Sequence, residues 1–567
     1  MTRGDRTTAK KASLRGETIL FGVLVVLHLI PIWAFAHFPS QDGPTHLENA
    51  QILREYNFPD RTAFRDYYTL NAHLNPNWLG HLILAGLLWV FPPLIAEKLL
   101  LSGYVILLPL GARYALRALD PESEFLALLA FPFVYNYLLS MGFYNFVYSL
   151  PIFFFVVGRW LKDRGMLTPA AVARLAVLNL VLFFSHLVSL VMALGLIALL
   201  GLWLTALEAW PRLRGTPGEL KVAGPSGLRA IVAAARTRLL PGLVAFVPAF
   251  LLATVFLSRK GTNSLSGTAA GGLVRRLLSL DSLNSSHVRE LILSTTLAAL
   301  FGAVTIYLIE TKARGRRFVA LDALLLVVGL YLVVYFTAPE RMAGGEFITE
   351  RLNLFPYLAL LLWFGAQKWD RIAKEIVRLT AIVLAIAMLA SQALSYAAID
   401  GQMNEYLSGM SLIEENSTLL PLCFSPFGRG EDGKRLSGRV GIFLHAAGYI
   451  AAERRVVEFD NYEANTDYFP TIFRAERNPD DHLAVRKGAL ETQPPCVDLL
   501  SYAGRTGGSV DYVLVWGLRQ EHMAHRCVQL AREQLRLAYD LVRTSPAGRM
   551  QLYRRKDFIS PARSISR

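Results

Sequence analysis

The stretch Pro76–Pro92 reads PNWLGHLILAGLLWVFP. It is apolar but short for a membrane span, with proline at both ends, so it is either a span or a helix lying at the interface. The choice sets the side of every later loop, and charge makes it. Taken as interfacial, the stretch puts one set of basic loops on a single side. That set holds Arg3, Arg6, Lys10, Lys11 and Arg15, then Arg113 and Arg117, then Arg159, Lys162 and Arg164. The runs Arg212–Arg238, Lys312–Arg317 and Lys368–Arg378 fall there too. The opposite side keeps few basic residues, except in the loop 258–289 with Arg259, Lys260, Arg275 and Arg276. Short loops rich in Lys and Arg stay in the cytoplasm. The interfacial reading is therefore adopted, with the N-terminus cytoplasmic.

Composition sets the class. The chain has 567 residues, 53% of them hydrophobic, and a mean hydropathy of +0.36, too apolar for an ordinary soluble enzyme. The expected fold is a polytopic α-helical membrane protein of about eleven spans. These are 18–37, 94–116, 124–142, 146–161, 170–187, 188–207, 238–257, 290–309, 318–337, 352–367 and 377–397. The net charge of +14 lies in loops between spans, without the basic stripe that nucleic acid needs, so no nucleic-acid partner is expected. No small-residue cleavage site follows Ile19–Phe38, which reads as an anchor of the inner (cytoplasmic) membrane.

An odd number of spans divides the chain into a cytoplasmic tail 1–17, a transmembrane domain 18–397 with an outer loop 38–93, and an extracytoplasmic soluble α/β domain 400–567. Strand-like runs in the last are Arg439–His445, Arg455–Asp460, Asp511–Trp516 and Arg549–Arg554, with a helical stretch at 522–540. All three cysteines, Cys423, Cys496 and Cys527, fall in this domain. One disulfide with one thiol left over, or three isolated buried thiols, both fit.

Candidate site residues lie at predicted outer turns. Asp42, in QDGPTHLE (Gln41–Glu48), is a charge held where the first span ends, and such groups need a partner or a function. The plainer reading is helix capping: Asp42 before Gly43-Pro44, or a Thr45-x-x-Glu48 capping box. The sharper one makes Asp42 a general base, with His46 one turn on and Glu48 beyond it helping to hold an acceptor hydroxyl. Arg351, at the outer mouth of an apolar span, calls for an anion: Glu350, or a lipid phosphate gripped by its planar fork, with Arg341 nearby. His186 stands where the apolar stretch Leu175–Leu207 must turn, and is either a satisfied core residue or a phosphate ligand. Asn145, in MGFYNF (Met141–Phe146), suits sugar hydroxyls, though Tyr and Phe there also read as belt residues. Walker, GxGxxG, HExxH and GxSxG motifs are all absent from the sequence, which leaves nucleotide hydrolysis, redox chemistry and serine or zinc hydrolysis without support.

This layout resembles the GT-C superfamily of polytopic glycosyltransferases, including bacterial aminoarabinose transferases and protein O-mannosyltransferases. In them an acidic residue follows the first span and a large outer loop carries interfacial helices, which correspond here to Asp42 and the stretches 44–57 and 76–92. The segment Glu350-Arg351-Leu352-Asn353-Leu354-Phe355-Pro356 looks like the family's late "ARY…P" segment, whose arginine contacts the lipid-linked phosphate. The resemblance implies a polyprenyl-phosphate sugar donor, a glycan, lipid or protein acceptor, and inverting transfer at the outer face of the membrane. Asp42 would then be the base, His46, Glu48 and Asn145 the acceptor site, and Arg351, His186 and Arg341 the phosphate site. Two departures stand out: Gly43 replaces a second acid after Asp42, and Asn145 replaces an aspartate, so a divalent metal stays an open possibility with no ligand assigned. The alternatives are a lipid-linked saccharide translocator and a non-catalytic cell-envelope assembly protein.

Overall fold

The computed structural model describes residues 3–165, 167–213, 232, 235–260, 270–316 and 318–558. Most of the basic run 212–238, the middle of the loop 258–289 (residues 261–269) and residues 559–567 lie outside the described residues. The architecture is that of a polytopic α-helical membrane protein with a C-terminal α/β region.

Among the described residues seven helices are long and apolar enough to cross a membrane: Gly16–Ala34, Pro93–Leu119, Tyr144–Asp163, Leu187–Glu208, Val288–Gly315, Ala320–Thr337 and Arg371–Leu412. Pro169–Ser185 is a shorter apolar helix. Their outward faces are apolar too. On the first helix Ile19, Val23, Val26, Ile30 and Trp33 are exposed, while Phe21, Leu24 and Ile32 pack inward. A helix apolar on both sides suits hydrocarbon outside and protein inside.

Three expected spans take another form. The stretch 124–142 becomes a buried 3-10 helix, Pro121–Phe133, followed by the single turn Tyr137–Ser140. The Asp120 carboxylate opens it by accepting from the Glu122 N–H, and Pro132 has no N–H with which to continue an α-helical ladder. Such backbone survives at membrane depth only where protein surrounds it, and every residue from Ser123 to Phe133 is buried. The stretch 238–257 divides into Leu240–Val244 and Val247–Lys260. The stretch 352–367 shortens to the 11-residue helix Phe355–Gly365, preceded by Ile348–Leu352. Within 76–92 the helix is Leu79–Leu87, 9 residues, which at about 1.5 Å per residue cannot cross a core of about 30 Å.

Among the described residues there are seven strands, β1 (Tyr68–Leu70), β2 (Thr418–Cys423), β3 (Val457–Glu458), β4 (Thr471–Phe473), β5 (Tyr512–Trp516), β6 (Tyr539–Thr544) and β7 (Met550–Arg555). Five form one sheet in the order β3-β2-β5-β7-β6, with β3, β2 and β5 parallel and the rest antiparallel. Two expected strands hold as β5 and β7, and Arg526–Ala538 supplies the expected helix. Arg455–Asp460 contributes only the two residues of β3. Arg439–His445 is not a strand but a turning segment leading to the helix Ala447–Arg454.

The central strand β2 went unread because Pro421 argues against a strand interior. Its N position faces the β3 side, since the Phe424 N–H turns to Trp516 on β5, and β3 has already ended there, pairing only with Thr418 and Leu419. Cys496 and Cys527 form a disulfide, and Cys423 on β2 is free and buried.

The loop after the first span docks on this region. β1 pairs antiparallel with β4, and the helix Gly43–Glu55 packs against Ala447–Arg454. The two backbones meet at Gly448, where a Cβ would come within 2.6 Å of the Pro44 carbonyl.

Candidate functional site

A cavity of about 580 Å³ opens where the helical bundle meets this docked layer. Asp42, His46, Asn145, His186 and Arg351 all line it, although they span more than half the chain. Much of its lining is apolar, with Leu187, Val191, Phe250, Phe256 and Leu257 among the lining residues. Glu48 and Arg341 do not line it. Glu48 is buried behind Asp42, where it accepts from the Tyr68 hydroxyl at 3.3 Å. Arg341 is half-exposed and pairs with Glu346 at 3.1 Å.

Asp42 takes the N-cap position of Gly43–Glu55, but its side chain makes no capping bond. The Thr45–Glu48 box does not form either, because Thr45 lies inside the helix and its hydroxyl finds no partner. The carboxylate is thus free for other contacts. Gln41 Nε2 donates to Oδ1 at 3.1 Å, the Tyr462 hydroxyl reaches it, and His445 Nε2 lies 3.9 Å away. Burial raises the Asp42 pKa, against the pull of His445 and His46.

The turn behind Asp42 needs glycine. Gly142 has φ +83, and a Cβ there would come within 2.7 Å of the Asp42 nitrogen. The Asp42 N–H donates to the Met141 carbonyl at 3.1 Å, which fixes the acidic residue on that turn.

Asn145 is committed to structure: its Oδ1 accepts from the Gly80 N–H at 2.6 Å. The bond docks Leu79–Leu87 onto Tyr144–Asp163. His186 sits at the break between Pro169–Ser185 and Leu187–Leu213, where the turn was expected. Its Nδ1 accepts from the Val188 N–H at 3.2 Å, which places the ring proton on Nε2 and makes that nitrogen a donor.

Arg351 is buried, with its guanidinium over Phe143 at 4.5 Å and Phe146 at 5.7 Å. One Nη donates to the Glu346 backbone carbonyl, and Nε has no hydrogen-bond partner. Glu350 is not its ion-pair partner, because that carboxylate pairs with Arg276 at 2.9 Å. Among the described residues no carboxylate lies within ion-pair distance of Arg351. Burial lowers its pKa to about 10, so it remains a cation.

Sequence reasoning missed His445, Tyr462 and Glu491, which line the same cavity from the C-terminal region. His445 is pinned between Asp42 and Asp460, the latter at 3.7 Å. Burial works against its charge, but Asp460 and Asp42 outweigh it and lift the pKa to about 9. Burial and the neighbouring Asp460 raise Glu491 to about 7. Nothing in the sequence marks these residues, because His445 lay in a run read as a strand.

No family model matches the chain, and no curated protein matches it. Among solved structures it is similar to the crystal structure of ArnT from Cupriavidus metallidurans bound to undecaprenyl phosphate. That match has 12% identity, covers 95% of this chain and 98% of the other, and has a TM-score of 0.45. At that score the functional reading rests on the cavity itself.

Proposed function

We propose that this protein transfers a sugar from a polyprenyl-phosphate donor to an acceptor hydroxyl at the outer face of the cytoplasmic membrane. The observation that carries this reading is Arg351: a buried cation with no carboxylate at ion-pair distance among the described residues, lining a largely apolar cavity. Desolvating an ion costs several kcal/mol, and stacking on aromatic rings returns only about 2 kcal/mol. An anionic ligand offsets the rest. A phosphate fits the planar fork of the guanidinium, and a long apolar tail fits the apolar lining. His186 Nε2–H supplies a second donor.

Asp42, which lines the same cavity, takes the proton from the acceptor hydroxyl. That oxygen forms a bond to the anomeric carbon as the bond from the carbon to the phosphate oxygen breaks. The electron pair leaves with the polyprenyl phosphate, whose growing charge Arg351 and His186 stabilise. Configuration inverts in this single displacement. The His445 cation helps keep Asp42 ionised in spite of its burial. The distribution of basic loops supports a cytoplasmic N-terminus, which would put the cavity outside, where a lipid-linked donor is needed.

The test is transfer by the purified full-length chain given polyprenyl-phosphate sugar, with Asp42→Asn alongside. Transfer that survives this substitution undiminished removes the base. A reporter fused after residue 400 reads the side independently, and a cytoplasmic signal there would reverse the donor argument.

A further inference from the structure

Where His46 lines the cavity, its ring also meets His81 and Glu463 outside the lining, and the proposed transfer step uses none of the three. His46 Nδ1 lies 2.5 Å from Glu463 Oε1 and 3.0 Å from His81 Nε2. His81 Nε2 lies 2.8 Å from Glu463 Oε2. All three side chains are buried.

Protein hydrogen bonds do not use this donor set fully: Glu463 Oε1 and His81 Nδ1 have no hydrogen-bond partner of proper geometry among the described residues. One ligand atom from each of the three side chains lies within 4.8 Å of the others. Either a ring proton or a metal cation can lie between the His46 imidazole and the Glu463 carboxylate.

We propose that His46, His81 and Glu463 bind a divalent transition-metal ion, zinc by its ligand chemistry. Two imidazoles and one carboxylate make a known zinc donor set, and a tetrahedral ion about 2.1 Å from each donor spaces the donors roughly 3.4 Å apart. The observed spacings reach this with side-chain shifts of less than an ångström. The surroundings match as well. Asn49 Nδ2 donates to Glu463 Oε2 at 2.8 Å, the kind of outer contact that orients a metal ligand. The ligands come from the helices Gly43–Glu55 and Leu79–Leu87 and from the turn Tyr462–Asn465. One ion would tie the loop after the first span to the C-terminal region, one helical turn from Asp42. Its role is to position that helix, since His81 and Glu463 do not line the cavity.

The site does not depend on the transfer reading, and its test needs no substrate. The full-length protein is purified in detergent without chelator and its zinc measured by mass spectrometry. It is then stripped with EDTA and titrated with Zn²⁺ and, separately, Mg²⁺ while its melting temperature is followed. About one zinc per chain is expected, with melting raised by zinc and unmoved by magnesium. His81→Ala and Glu463→Gln should each weaken zinc binding by more than roughly tenfold, the scale that even outer partners reach. His73→Ala, at an exposed position, should leave it unchanged. Zinc held equally by both ligand variants overturns the site. If those variants fail to fold, the parent protein decides: no saturable zinc binding after stripping means that a ring proton on His46 bridges the cluster, and the proposal falls.

Discussion

Two charged groups that line the cavity, Asp42 and Arg351, are balanced in opposite ways. Asp42 is surrounded by Gln41, Tyr462 and His445, and His445 is in turn backed by Asp460. Arg351 lies over two aromatic rings with one nitrogen on a backbone carbonyl, and among the described residues no carboxylate stands at ion-pair distance from it. Asp42 thus has its partners in direct contact, whereas Arg351 has a free Nε and only more distant acids. On the proposed transfer reading this contrast assigns phosphate binding to Arg351 and proton transfer to Asp42.

The strongest way to break this contrast is Asp42→Asn. It keeps shape and removes the base, so kcat should fall by about 10²–10⁴-fold with KM for the donor little changed. A fall confined to KM would place Asp42 in binding instead. Next comes Arg351→Ala, expected to lower kcat by about 10²–10³-fold and to weaken donor binding. Arg351→Lys should recover only part of this, because an ammonium lacks the two-pronged fork. Full recovery by lysine would mean that charge alone matters.

Asn145→Ala probes the scaffold of the cavity. It strips the buried Gly80 N–H of its acceptor, which should destabilise the protein by about 1–3 kcal/mol, read by thermal denaturation. An unchanged melting point would show that water or another group takes its place.

The smallest effect concerns pH. The folded pKa of His445 is raised to about 9, above its unfolded value of about 6.5. The stability it contributes is therefore fully present below about pH 6.5 and is lost as pH rises through about 9. The melting point should drop by a few degrees more across that window in the parent protein than in His445→Gln. Asp42, Asp460, Tyr462 and Glu491 face the same ring, and only the difference between the two proteins isolates His445.

Much of the bundle was legible from composition and hydropathy, because hydrocarbon selects long apolar helices whatever they pack against. The short helix in 76–92 followed from its prolines and the charge map. The three altered spans were not legible. Hydropathy reports that a segment is apolar, but a buried 3-10 helix such as Pro121–Phe133 is as apolar as a span, and only its neighbours make it tolerable. Pro421 hid β2 in the same way, since whether a missing N–H matters depends on where the adjacent strand stops.

The site divides along the same line. Asp42, Arg351 and His186 were marked by sequence because charge and imidazole are conspicuous at the ends of apolar runs. His445, Tyr462, Glu491, His81 and Glu463 were not, since polar residues in a soluble region are ordinary until a fold buries them. The sequence by itself determined the solvent each segment prefers and which polar groups stand at the ends of apolar runs, because those follow from local chemistry. Tertiary structure alone decided which charges are balanced: that Asp42 has a histidine and a tyrosine beside it, and that Arg351 has no carboxylate at ion-pair distance among the described residues. Charge balance is a property of distances between remote residues, and no local pattern encodes them.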